Sequence, residues 1–424
     1  MSIRFSAFGR RFQYPSGTRQ LMDDLGKLRR SGHYLNLGGG NPSRIPEMHE
    51  WFAEKLSHLA HTRELDEFFA TYDSPRGNHR FIAVLGEFFT NYFGVAVSPE
   101  NVMCTGGSQA SFFMLFNLFG GSHRRGRKRR ILLPQSPEYV GYSGLGIEHG
   151  TLVAYPSRIS FTASHRFKYE IDFDGLMVDE TIGAICLSRP CNPTGNVVSD
   201  NDLARLAALA EAFDIPLIVD CAYGDPFPGI MFVPNRLAWS EKIVFCFSLS
   251  KLGLPGMRTG IVLGSEEITD TLVGMNATMA LANNSLGPRL AHDLFSSGAV
   301  LDFATRVIRP YYLARSHRAI ACCDEYFSGL DYFVHESEGA IFLWVWFRGL
   351  PIPAQTLYER LKARGVLVIP GHHFALGKAC ESTHAAECIR ISYAQDDAAL
   401  QRGIAIIAEE AKAAFASRRA DARP

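Results

Sequence analysis

From about Asn101 to Gly264 the chain alternates short apolar runs, ending in turns rich in Gly, Pro or small polar residues, with helical stretches. The runs Val102-Met103-Cys104, Ile131-Leu132-Leu133, Ala184-Ile185-Cys186-Leu187, Leu217-Ile218-Val219 and Ile243-Val244-Phe245-Cys246-Phe247 are apolar at successive positions, not alternate ones. That pattern predicts strands buried on both faces, and their alternation with helices predicts a mostly parallel sheet covered on both sides. Ligands bind such sheets outside the carboxyl ends of the strands. The residues that follow each run are therefore the ones to read for chemistry. After about Leu290 the pattern changes to a long helix, short strands at Phe342 to Phe347, Val366 to Pro370 and Cys388 to Tyr393, and a last helix near Ala398 to Ala414. This predicts a second, smaller α+β unit, with boundaries at 45–290 for the large domain and 1–44 plus 291–424 for the N-terminal arm and small domain.

The run ending at Phe247 continues Ser248-Leu249-Ser250-Lys251, with Arg258 seven residues further on. A lysine at the end of a core strand is partly desolvated, so its amine is more easily neutral and nucleophilic. Two hydroxyls and an arginine beside it suit a phosphate dianion. Asp220 ends another apolar run, where a buried carboxylate calls for a cation opposite it; the plainer reading is a helix cap. Tyr223 lies three residues on. Asn192 is held by the turn Arg189-Pro190-Cys191-Asn192-Pro193-Thr194-Gly195 and its amide can donate to a phenolate oxygen. Thr105-Gly106-Gly107-Ser108-Gln109 reads as a strand, a Gly-rich turn and a helix start, which favours an anion. Tyr139, after Ser136-Pro137-Glu138, is an aromatic delivered by a strand-to-turn junction and can stack on a ring or simply pack.

Any one of these segments is weak; their order along the chain is specific. Together they resemble the class I/II aminotransferases, the fold-type I enzymes of pyridoxal 5′-phosphate (PLP). The resemblance implies an α/β fold with a mostly parallel sheet in the large domain, and a PLP-dependent aminotransferase acting on amino acid and 2-oxo acid substrates. It implies that Lys251 carries the cofactor, that Asp220 pairs with its ring nitrogen, and that Asn192 and Tyr223 bind its O3′. Tyr139 then stacks on the ring, and Gly107, Ser108, Gln109, Ser248, Ser250 and Arg258 hold the phosphate. Arg390, in Cys388-Ile389-Arg390-Ile391-Ser392, is similar to the family's clamp for the substrate carboxylate, with Gly40 and Asn192 beside the substrate. Tyr72 is similar to a tyrosine that reaches the partner subunit's phosphate, so the resemblance implies a homodimer with shared sites. Stretches outside the cofactor motifs, such as Leu37-Gly38-Gly39-Gly40-Asn41-Pro42 and Glu338-Gly339-Ala340-Ile341-Phe342-Leu343-Trp344, are similar to those of members that exchange an amino group between a branched aliphatic amino acid, valine first, and pyruvate. Tyr14 and Phe374 are the implied apolar neighbours of the substrate. Cys191 departs from the threonine expected before Asn192. Another reaction of the same cofactor, such as C–S β-elimination, or an aminotransferase of different substrate range would keep every cofactor residue, and both stay open at this point.

The chain-wide properties set limits. The 43 basic and 43 acidic residues balance, so nothing global favours nucleic acid or a membrane surface. The basic stretch Arg124 to Arg130 reads as a solvated connection. The nine cysteines show no zinc or disulfide spacing, and Met1 to Phe8 lacks an apolar leader core, which predicts reduced thiols and a cytoplasmic home. His372-His373 has no third ligand at a regular spacing, so no metal is expected.

Overall fold

In a computed structural model, which describes residues 3–13, 23, 26, 34–377 and 383–421, three sheets organise the chain. The smallest pairs β1 (Leu35–Asn36) with β14 (Val366–Leu367) in parallel, joining the N-terminal arm to the C-terminal part. The largest contains β2 (Val102–Thr105), β3 (Gly121–Ser122), β4 (Lys128–Leu133), β5 (Leu152–Ala154), β8 (Ile182–Ser188), β9 (Leu217–Asp220), β10 (Ile243–Ser248) and β11 (Gly260–Leu263), in the order β2-β11-β10-β9-β8-β4-β3 with β5 also on β4. Strands β5, β4, β8, β9 and β10 run parallel, whereas β11 and β2 add an antiparallel edge and β3 pairs antiparallel with β4.

The alternation of side chains explains why the strand sequences are apolar throughout. In β8, Ile185 and Leu187 face one core, and Ala184 and Cys186 face the other. Phe245 and Phe247 of β10 likewise join the first core, and Val244 and Cys246 the second. A period of two splits each run between two covered faces, so neither face has a polar residue to spare. The second core holds the helix Ser108–Phe119 through Phe112, Leu115 and Phe116.

The remaining sheet is β15-β16-β13-β12-β7-β6, built from β6 (Arg158–Ala163), β7 (Arg166–Glu170), β12 (Tyr332–His335), β13 (Phe342–Phe347), β15 (Ile369–Pro370) and β16 (Cys388–Ser392). Here the structure departs from the reading by contiguity. The hairpin β6–β7 lies inside the stretch assigned to the large unit, yet β7 pairs in parallel with β12, Val334 opposite Arg166. A hairpin's alternation says which face is buried but not which sheet it joins. The long helix after Leu290 is a relay of Leu286–Ser296, Ala299–Asp302, a π-helical turn Phe303–Ile308 and Arg309–Tyr326. The last helix, Asp397–Asp421, buries Leu400, Ile404, Ile407 and Ala411. Among the described residues no helix is long and apolar enough to cross a membrane, and no group of His, Cys, Asp and Glu could hold a metal.

Candidate active site

Four strands of the large sheet end at one cavity of about 210 Å³, lined by Ser108, Gln109, Tyr139, Asn192, Asp220, Tyr223, Ser248, Ser250, Lys251 and Arg258, with Gly40 and Arg390 reaching in from outside that sheet. Tyr139 follows β4, Asn192 follows β8, Asp220 ends β9, and Ser248 ends β10 just before Lys251. Registration brings them together: Ser188 and Asp220 end their strands level with each other, and β10, with Cys246 opposite Asp220, runs two residues further to Ser248.

Lys251 is enclosed. Its Nζ donates to the Gly40 carbonyl at 2.6 Å and stands 5.2 Å from the Tyr223 ring centre. Burial, then the charges of Arg390 and Arg258, push its pKa down to about 8 against the opposing pull of Asp220. Asp220 is 6% exposed, and its carboxylate accepts from the Tyr142 phenol at 3.0 Å and the Ala222 N–H at 2.9 Å. Burial lifts its pKa to about 6 in spite of those bonds and of Lys251. Among the described residues no cation is in ion-pair contact with it.

Arg390 of β16 lies buried between Phe342, whose ring centre is 4.0 Å away, and Phe374, at 5.1 Å. Its Nη1 donates to Asn192 Oδ1 at 2.6 Å and its Nη2 to the Gly38 carbonyl at 2.7 Å. Among the described residues its Nε is buried without a hydrogen-bond partner, and burial lowers its pKa to about 10. The guanidinium is therefore oriented by its far edge and both faces, and its Nε–H is left for a further acceptor.

On the opposite wall, Arg258 donates to Ser250 Oγ at 3.4 Å, and the Ser250 N–H donates to Ser248 Oγ at 3.1 Å. Arg258 packs directly over the turn before the helix Ser108–Phe119. A Cβ on Gly107, whose φ is +100°, would come within 2.4 Å of Arg258 Nη2. Only glycine permits that approach, and the helix's free N–H groups open on the same side.

The structure thus gathers most of the expected site residues around one space, with Gly107 set behind Arg258 and not on the cavity wall. Tyr72 lies apart: it is 84% exposed and borders a different cavity of about 500 Å³ with Asp73, Arg80 and Arg289. Phe374 lies against Arg390 as described, whereas Tyr14 lies outside the described residues. Sequence reading passed over Tyr142, Glu138 and Phe342. Tyr142 was discoverable: it follows Tyr139 by three residues, one turn of the 3₁₀ segment Val140–Tyr142. Glu138, an acid beside a proline turn, carries no such signal.

Comparison with known proteins shows the family to which the chain belongs. The family profile "Aminotransferase class I and II" matches residues 33–407. The Escherichia coli valine–pyruvate aminotransferase is 41% identical over 414 residues, 98% of this chain and 99% of that one. The crystal structure of a valine–pyruvate aminotransferase from Salmonella typhimurium superposes with a TM-score of 0.86 at 38% identity, covering 94% of this chain and 99% of the other. A putative amino-acid aminotransferase from Psychrobacter arcticum gives 0.95 at 39% identity, covering 98% and 100%.

Proposed function

The chain belongs to the class I and II aminotransferases, fold-type I enzymes whose cofactor is pyridoxal 5′-phosphate, and from that premise we propose that it exchanges the amino group between valine, or a similar aliphatic amino acid, and pyruvate. The observation that carries this reading is the convergence of Lys251, Asp220 and Arg390 on one cavity with Arg258 at its far end. Valine and pyruvate come from the relatives' names and from a site with a single carboxylate clamp, Arg390, flanked by Phe342 and Phe374.

Three features support the fit of the cofactor. Asp220 is a buried acid with no cation in ion-pair contact among the described residues, a place that a protonated ring nitrogen would fill. Arg258, Ser250 and the Gly107–Ser108 turn form a cradle in which a Cβ has no room. The orphaned Nε of Arg390 calls for an acceptor such as a substrate carboxylate.

When bound, PLP supplies an electrophilic carbonyl carbon and a cationic ring that accepts electron density from the substrate's Cα. Each protein group then has a task. Asp220, oriented by Tyr142, would keep the ring nitrogen charged. Asn192 and Tyr223 would bind O3′, and Tyr139 would stack on the ring. Gly107, Ser108, Gln109, Ser248, Ser250 and Arg258 would hold the phosphate. Lys251 would carry the cofactor, and its Nζ is the group to take and return a proton at the substrate's Cα; in the cofactor-free chain a pKa near 8 leaves part of the amine neutral near pH 7. Arg390, with Gly40 and Asn192 at hand, fixes the substrate carboxylate and so aligns the Cα–H bond.

The exposed Tyr72 suits a homodimer in which it completes the partner subunit's phosphate site. The eight free cysteines among the described residues suit a cytoplasmic home. The test is a half-reaction screen. Purified holoenzyme is mixed with each amino acid alone, and the cofactor's absorption band is followed to that of its aminated form. Valine and alanine convert the band; ammonia release without an amino acceptor would instead mean elimination.

A further inference from the structure

Glu138 lies beneath the cavity without lining it. Its carboxyl group is fully buried, yet four donors converge on it: the Tyr139 N–H at 3.0 Å, the Ser188 N–H at 3.1 Å, the Ser188 hydroxyl, and Cys191 Sγ at 3.4 Å. Amide hydrogens can only donate, so the donor set matches an ionised carboxylate, not an acid that must place its own proton. Its backbone N–H donates to the Phe374 carbonyl at 3.0 Å. One residue is therefore bonded to the segment that presents Tyr139, to the end of β8, to the residue before Asn192, and to the segment whose ring covers Arg390. Burial pushes the carboxyl up to about 7, and no cation is among the causes that oppose it.

A buried carboxylate costs several kcal/mol unless its bonds are complete. A bare tether between two turns does not need a charge. What the charge adds is direction: Tyr139, Ser188 and Cys191 must all point their hydrogens at one place, which fixes the spacing of the Tyr139 and Asn192 turns. We infer that Glu138 is a positioning residue, whose carboxylate holds Tyr139 and Asn192 in register and thereby sets the pose of the cofactor ring. This rests on the PLP reading above.

The experiment uses the full chain reconstituted with pyridoxal phosphate. Glu138→Gln nearly keeps the shape but turns an N–H₂ toward at least one donor, so the two turns move apart. Its affinity for pyridoxal phosphate is expected to fall about ten- to a hundredfold. The visible circular dichroism of the bound cofactor should weaken, and kcat should fall more than KM rises. Glu138→Asp, which keeps the charge, should restore part of the dichroism. Wild-type affinity, dichroism and kcat in Glu138→Gln would overturn the inference. If that variant does not fold, Cys191→Ala decides, because its thiol donates to Glu138 without lining the cavity: weakened dichroism supports the role and an unchanged spectrum refutes it. A wild-type protein that fails to bind pyridoxal phosphate would overturn the cofactor reading and this inference with it.

Discussion

The Tyr142 phenol donates to Asp220 Oδ2 at 3.0 Å in a region where both side chains are buried. The bond holds the carboxylate in its acceptor-only, charged form, against a burial that lifts its pKa from 3.8 to about 6. The strand-end acid is thus poised, and its charge is sustained by a tyrosine from the loop after β4.

That balance has a sign. The folded carboxyl binds its proton more tightly than the unfolded chain does, so ionised Asp220 destabilises the cofactor-free protein above pH 6, by about 3 kcal/mol, and the penalty fades as pH falls toward 4. Cofactor-free Asp220→Asn should melt higher than wild type near pH 8, with the gap closing in a pH series of thermal melts toward pH 4. In the holoenzyme the same variant should bind PLP yet slow the half-reaction by about a hundredfold or more. An unchanged half-reaction rate would remove Asp220 from this role.

Lys251→Ala should reduce turnover to background. Borohydride reduction of wild type with pyridoxal phosphate should fix the label on the peptide containing Lys251, read by mass spectrometry. A variant turning over at the wild-type rate would place the amine elsewhere.

Arg390→Lys keeps a positive charge but loses the planar fork that sits between Phe342 and Phe374. We expect kcat/KM for valine to drop about a hundredfold with PLP affinity unchanged, as measured by steady-state kinetics and cofactor titration. A loss confined to PLP affinity would assign the arginine to the cofactor instead.

Subunit sharing is tested by mixing two damaged proteins. In a hybrid of Tyr72→Phe and Lys251→Ala subunits, both lesions fall in one site and the other site is intact. Activity should recover above that of either parent. A fully active monomer by light scattering would rule out the shared site.

The substrate is decided by kcat/KM for valine, alanine, aspartate and glutamate with the matching oxo acids. Valine and alanine should lead. Leucine, isoleucine or 2-aminobutyrate should follow within about ten- to two-hundredfold, because an apolar pocket separates one methylene by only about 1–3 kcal/mol. Aspartate or glutamate outrunning both would reassign the substrate and leave the chemistry standing.

The chemistry of the site was legible in the sequence because it is local. Each strand run ends in its own chemical group, and the carboxyl ends of neighbouring parallel strands are necessarily side by side. Lys251, Asp220, Asn192 and the Gly107–Ser108 turn could therefore be read from order alone. The hairpin β6–β7 could not be placed, because its partner β12 begins more than 160 residues after it and no local pattern encodes that pairing.

What only the tertiary structure decided is which groups control the site from behind. Glu138 and Tyr142 act through partners contributed by other strands: Ser188 and Cys191 for one, Asp220 for the other. Arg390 is aimed by Asn192, almost two hundred residues away, and by the carbonyl of Gly38 from the N-terminal arm. A side chain's identity sets what it can donate or accept. Whether burial strengthens that capacity, and which partner meets it, depends on atoms brought together by folding, and the sequence alone leaves those distances unstated.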